Sequence, residues 1–101
     1  MQQVDNDMSM VSSKVIISNK LGLHARPAMQ FVDIANQYNC KVQVHKRGED
    51  PCSVDGKSIF QMMTIAAFEG TELQIDAEGD DAAAAVADLV ALVHSKFGET
   101  E

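Results

Sequence analysis

His24 and Arg26 stand one residue apart in Gly22-Leu23-His24-Ala25-Arg26-Pro27-Ala28, a spacing that sets a ring nitrogen beside a guanidinium fork. Pro27 favours the first turn of a helix, where its missing N–H and fixed φ cost little, and Gly22 lets the incoming backbone turn tightly. His24 is therefore expected at or beside the N-cap. Unpaired N–H groups and the positive end of the helix dipole would converge there, favouring an anion and disfavouring the imidazolium. A neutral imidazole is a nucleophile, and Arg26 can bind phosphoryl oxygens through paired N–H donors. The predicted anion site is Gly22, His24, Ala25 and Arg26, with His24 and Arg26 carrying the chemistry.

The elements around this segment follow from periodicity. Lys14-Val15-Ile16-Ile17-Ser18 reads as the first strand. From Ala25 to about Gln37, Ala28, Phe31, Val32 and Ala35 recur at helical spacing, leaving Met29 off the buried stripe as an exposed contact beside the histidine. Lys41 to Lys46 alternates as a half-buried strand, and Gly48 to Pro51 is turn chemistry leading into a short strand from Cys52 to Asp55. Ser58 to about Ala67 reads as a second helix ended by the Glu69-Gly70-Thr71 turn. Leu73, Ile75 and Ala77 alternate in a fourth strand. Asp80 or Asp81 caps a third helix whose stripe is Val86, Leu89, Val90, Val93 and Phe97. The order β-α-β-β-α-β-α predicts an α+β fold, a two-layer open-faced sandwich with a four-stranded antiparallel sheet covered on one face by three helices.

The run Asn19-Lys20-Leu21-Gly22-Leu23-His24-Ala25-Arg26-Pro27-Ala28 resembles the active-site segment of the HPr family, the histidine phosphocarriers of the bacterial phosphoenolpyruvate-dependent phosphotransferase system. Val54-Asp55-Gly56-Lys57-Ser58-Ile59-Phe60 resembles the regulatory serine segment of the same family. The order of elements matches from Lys14 to about Phe97. Residues 1–13 are expected to be a flexible N-terminal extension, 14–97 the phosphocarrier domain and 98–101 a C-terminal tail. The resemblance implies strand order 1-4-2-3, phosphorylation of His24 on Nδ1, enzyme I as donor, EIIA-type domains as acceptors, and an HPr kinase and phosphorylase acting on Ser58. It implies a carrier rather than a turnover enzyme, with no cofactor and no metal.

Two of these assignments compete with plainer ones. Ser58 with Gln61 fits a capping box, in which the hydroxyl accepts from the third helical N–H and Gln61 reaches back; phosphate at such a position is also tolerated electrostatically. On the second helix Met62, Ile65 and Ala66 form one apolar arc, while Ile59, Phe60, Met63 and Ala67 form another. Both arcs are buried, or the second joins Ala25 and Met29 as a partner-binding patch containing Ile59, Phe60 and Met63, as the resemblance implies. His45 and His94 read as solvated. Gly56-Lys57-Ser58 fails as a P-loop, because Pro51 stands where the first glycine is needed.

Composition narrows the remaining classes. The chain has 101 residues, 46% of them hydrophobic, and a net charge of -7. That suits one small domain and excludes nonspecific nucleic-acid binding, which needs clustered basic residues. A polar start and the lack of a long apolar run predict a cytoplasmic protein without membrane insertion, and a monomer is expected. The two cysteines, Cys40 and Cys52, are expected to be reduced, although neighbouring strands would permit a bridge. The alternative function is a nitrogen-branch-type regulatory carrier or adaptor that controls partners without sugar transport. An acylphosphatase-like hydrolase is disfavoured, since no second catalytic group accompanies the anion site.

Overall fold

A computed structural model describes residues 10–101; the first nine positions of the expected N-terminal extension lie outside the described residues. The chain runs β1 (Met10–Ile16), α1 (Ala25–Ala35), β2 (Lys41–Lys46), β3 (Cys52–Asp55), α2 (Ile59–Met62), β4 (Glu72–Glu78) and α3 (Ala82–His94). The four strands form one antiparallel sheet in the order β1-β4-β2-β3. This is the expected open-faced sandwich. Val15, Val42, Val44, Val54, Leu73, Ile75 and Ala77 line the inner face, and Phe31, Met62, Leu89 and Val93 close the core from the helices. Alternation at period two gives each strand one buried face, while α1 buries Ala28, Phe31, Val32 and Ala35 at helical spacing.

Three boundaries differ from the sequence reading. β1 begins at Met10 rather than Lys14, because β4 is long enough to pair Met10 through Ser13 with Glu78 through Ile75. Ladder pairing there overrides the weak strand preference of Ser12 and Ser13. Residues 10–13 thus belong to the domain. α2 ends at Met62, and the chain beyond it leaves the helix: Thr64 Oγ1 donates to the Gln61 carbonyl at 2.6 Å, and Ile65 and Ala67 are buried while Ala66 is exposed. α3 ends at His94. Phe97 is still buried, but from a reversal in the left-handed region rather than from the helical stripe.

Side-chain links also depart from expectation. Asp81 is the N-cap residue of α3, yet its carboxylate accepts from the backbone N–H groups of Asn39 and Cys40 instead of its own helix. Those two bonds, led by the one from Asn39, hold its carboxyl below the usual range. Cys40 and Cys52 are free. Cys52 pairs with Lys46 at one end of β2 while Cys40 precedes the other end, so they lie roughly 20 Å apart at about 3.3 Å per residue. No bridge can span that distance. His45 is not simply solvated: on the open face of the sheet its ring bonds Ser53 Oγ at 2.6 Å and Asp76 Oδ2 at 2.9 Å. His94 is exposed.

The loop from β1 to α1 is fixed by close backbone contact. Gly22 has φ +72, and a Cβ there would lie 2.5 Å from the Ala67 carbonyl oxygen and 2.9 Å from Phe68 Cα. The Leu23 N–H donates to that same carbonyl at 2.9 Å. Only glycine suits both the conformation and the space. Gly22→Ala is expected to destabilise the fold by about 1–3 kcal/mol, read as a lower urea midpoint; an unchanged midpoint would contradict the contact.

Burial disfavours the charge of Asp76, but hydrogen bonds from Gln74, Ser12 and His45, with the charge of the His45 ring, outweigh it and lower its pKa. A carboxylate with a depressed folded pKa contributes stability above its unfolded value near pH 4, and that contribution is lost as pH falls through the folded value. Asp76→Asn should therefore lose less stability than the wild type between about pH 6 and about pH 3. Urea melts across that range measure it, and equal acid sensitivity would exclude the effect.

Candidate functional site

The tight turn at Gly22 delivers His24 to the N-cap of α1 with extended backbone, φ -86 and ψ -168, and no side-chain cap bond. Its N–H donates to the Gly22 carbonyl at 3.0 Å, and its carbonyl accepts from Ala28 at 3.0 Å. Pro27 has no N–H, so the first-turn donors without an intrahelical acceptor are those of Ala25 and Arg26. The ring is released from capping and stands at the helix entrance with its side chain 36% exposed.

A carboxylate that the sequence reading left in a tail completes this site. Glu99 Oε2 lies 2.7 Å from His24 Nε2 and accepts from an Arg26 guanidinium nitrogen at 3.2 Å. Its other oxygen accepts from Asn19 Nδ2 at 3.0 Å. Asn19 is wholly buried and also donates to the Gly22 carbonyl at 2.8 Å, tying the glycine turn to the carboxylate. The Asn19 bond, opposed by burial and reinforced by His24 and Arg26, holds the Glu99 carboxyl below the usual range. The 98–101 segment is thus part of the site, and the Lys20 N–H donates to the Glu101 carbonyl at 2.6 Å. Lys20, Leu21, His24, Arg26 and residues 98–101 border an open concavity of about 390 Å³.

The backbone bends sharply to bring Glu99 there. Lys96 and Phe97 have φ of 60 and 56, and Gly98 has φ 78. Left-handed conformations at the two non-glycine residues cost of order 1 kcal/mol or more each. Burying the Phe97 ring, which is 1% exposed, offsets this by about 1.5–3 kcal/mol. The available signal was Phe97-Gly98-Glu99, an apolar anchor and a glycine ahead of a carboxylate; helical periodicity at Phe97 hid it.

The expected partner patch divides. Met29, Phe60 and Met63 are exposed, Phe60 at 83%, and Ala25 is exposed beside the histidine. Ile59 is half-buried and packs against the core. Leu21 and Phe68 are also exposed and were missed, because both sit in turns without a period. The Phe68 backbone abuts Gly22, so Phe68 lies next to the loop that carries His24.

Ser58 is the N-cap of α2, and its Oγ accepts from the Gln61 N–H at 3.2 Å. The second half of the predicted capping box is absent: Gln61 Oε1 accepts from the Asp55 N–H at 2.9 Å. Asn36, just past the end of α1, donates to the Lys57 carbonyl at 3.2 Å. Ser58 therefore stands by the C-terminal end of α1 and His24 at its N-terminal end. Eleven residues at about 1.5 Å each separate those ends by about 16 Å.

Residues 11–95 match the family described as PTS HPr component phosphorylation site. The phosphocarrier protein HPr of Pseudomonas aeruginosa is 44% identical over 92 residues, covering 91% of this chain and all of that protein. The phosphocarrier protein NPr of Klebsiella oxytoca is 32% identical, with 88% of this chain and 97% of that protein covered. The crystal structure of HPr-C-His from Thermoanaerobacter tengcongensis superposes with a TM-score of 0.81 at 38% identity, covering 90% of this chain and 99% of that one. With a family match spanning most of the chain and the same fold, the protein belongs to the HPr family of phosphocarriers of the phosphotransferase system.

Proposed function

We propose that His24 accepts a phosphoryl group from phosphoenolpyruvate-charged enzyme I and passes it to EIIA-type domains in sugar uptake and its regulation. The observation that carries this reading is an imidazole at a helix N-cap with Arg26 beside it and Nε2 engaged by Glu99, so that Nδ1 is the atom facing a reaction. The Nδ1 lone pair attacks phosphorus in line, the donor's bond to phosphorus breaks, and its electron pair returns to the donor. The reverse sequence hands the group to an acceptor histidine. Ala25 and Arg26 N–H groups and the Arg26 guanidinium receive the phosphoryl oxygens, and Gly22 supplies the turn that places them. No cofactor and no metal enters these steps.

The exposed Met29, Phe60 and Met63, with Ala25 and the half-buried Ile59 at the margin, form the surface on which successive partners dock. Flexible methionines suit a face that meets several proteins. The reading is of a stoichiometric carrier, a monomer in the cytoplasm, without nucleic-acid binding or membrane insertion. Among the described residues no helix is long and apolar enough to cross a membrane. A nitrogen-branch-type regulatory carrier shares the His24 chemistry and differs in its acceptor; the similarity to an NPr keeps that reading in view.

Ser58 is proposed as the target of an HPr kinase and phosphorylase. Its position about one helix length from His24 means that a phosphate there acts through the shared docking surface rather than by touching the histidine.

His24→Ala is expected to take no acid-labile phosphate from enzyme I, whereas Arg26→Ala should fold normally and be labelled more slowly. Labelling that survives loss of His24 would remove the assignment. For Ser58, incubation with an HPr kinase and mass mapping should find one added phosphate at that residue; modification elsewhere, or none, would end the regulatory reading.

A further inference from the structure

We propose that Ser53, His45 and Asp76 form a second reactive site, on the face of the sheet away from the helices, that hydrolyses short-chain carboxylic esters. Ser53 is the nucleophile, His45 its base and Asp76 the positioning residue. The site stands apart from His24 and does not depend on the phosphoryl reading.

The sheet itself brings these side chains together. They come from β3, β2 and β4, and the register sets Ser53 and Gln74 on either side of His45. Asp76 lies two residues beyond Gln74 and so shares its face, while Val44, Val54 and Ile75 between them are buried on the other. One nitrogen of the His45 ring, Nδ1, lies 2.6 Å from Ser53 Oγ, and the other, Nε2, lies 2.9 Å from Asp76 Oδ2. Gln74 Nε2 donates to Asp76 Oδ1 at 2.9 Å, so both carboxylate oxygens are held.

These contacts fix the hydrogens. The Asp76 pKa is lowered, and an ionised carboxylate accepts hydrogen bonds without donating any, so the ring hydrogen belongs on Nε2. With the ring neutral, Nδ1 then carries a lone pair, and the Ser53 hydroxyl must donate to it. This is the order of a serine, histidine and aspartate triad with the two ring nitrogens exchanged, and an imidazole relays a proton equally well in either sense.

The sheet edge supplies a donor for the oxyanion. β3 is an edge strand. The Gly56 N–H points inward to the Val42 carbonyl, whereas the Asp55 N–H turns outward to the Gln61 side chain. Ser53 shares the parity of Asp55, so its own N–H points off the edge beside Oγ. An open concavity of about 620 Å³ lies over the three residues, bordered also by Arg47, Cys52 and Gln74. Arg47 donates to Gln74 Oε1 at 3.3 Å, which keeps this wall polar and suits a short acyl chain.

In the reaction Ser53 Oγ bonds to the ester carbonyl carbon while its proton passes to His45 Nδ1. The Ser53 N–H receives the developing oxyanion. The bond from carbon to the alcohol oxygen then breaks, and the alcohol leaves with the proton held by His45. Water next attacks the acyl-serine, giving a proton to His45. The carboxylic acid departs, and that proton returns to Ser53 Oγ.

The full chain serves for each test. Side-chain 15N shifts of the neutral His45 ring should show hydrogen on Nε2, and Asp76→Ala should show a mixture. A wild-type ring with hydrogen on Nδ1, or a variant that keeps the Nε2–H form, overturns the proposal. A short-chain fluorophosphonate should label the wild type at Ser53, forming an Oγ–P bond and releasing fluoride, with the position found by mass mapping. Labelling should slow about a hundredfold in His45→Gln. Label on another residue, or none, overturns the proposal. With p-nitrophenyl acetate, steady-state release of p-nitrophenolate is read in Cys52→Ala, which removes the exposed thiol. Adding Ser53→Ala should lower that rate about tenfold or more, and an equal rate overturns the proposal.

Discussion

The backbone contact between Gly22 and Ala67 is the constraint on which the rest of the site depends. A Cβ at Gly22 would stand 2.5 Å from the Ala67 oxygen, so the loop after β1 and the segment after α2 touch backbone to backbone. That contact fixes where α1 starts, and with it the direction in which His24 leaves the chain. It also places Phe68 beside the histidine loop.

From this junction two kinds of order spread. One is apolar: α1 and α3 bury Phe31, Leu89 and Val93 against the sheet, so the helix that presents His24 cannot shift without disturbing the core. The other is polar and smaller. Asn19 reaches from the glycine turn to Glu99, and Glu99 reaches from there to His24 and Arg26. A rigid scaffold and a short hydrogen-bonded chain together set the orientation of the His24 ring. Ser58 takes part in neither chain of contacts and stands by the opposite end of α1 from His24.

The strands and helices were legible because their signals are local. Alternation in Lys41 to Lys46 and in Leu73 to Ala77, and the stripe Ala28, Phe31, Val32 and Ala35, need only one element and one core face to be read. Errors fell where a distant partner decides. Met10 to Ser13 form strand because β4 extends far enough to pair with them, α2 stops early, and His45 finds Asp76 and Ser53 across neighbouring strands.

The sequence by itself determined the family and the form of the histidine turn, since Gly22, His24, Arg26 and Pro27 lie in one short segment and their backbone requirements are intrinsic to the residue types. It also determined the sheet and helix layers through periodicity. Only the tertiary structure decided which carboxylate faces the ring, because Glu99 is far along the chain from His24 and arrives through a left-handed reversal that no propensity favours. Such a turn is held in place by the burial of Phe97, which offsets the backbone cost, and that burial depends on the core as a whole.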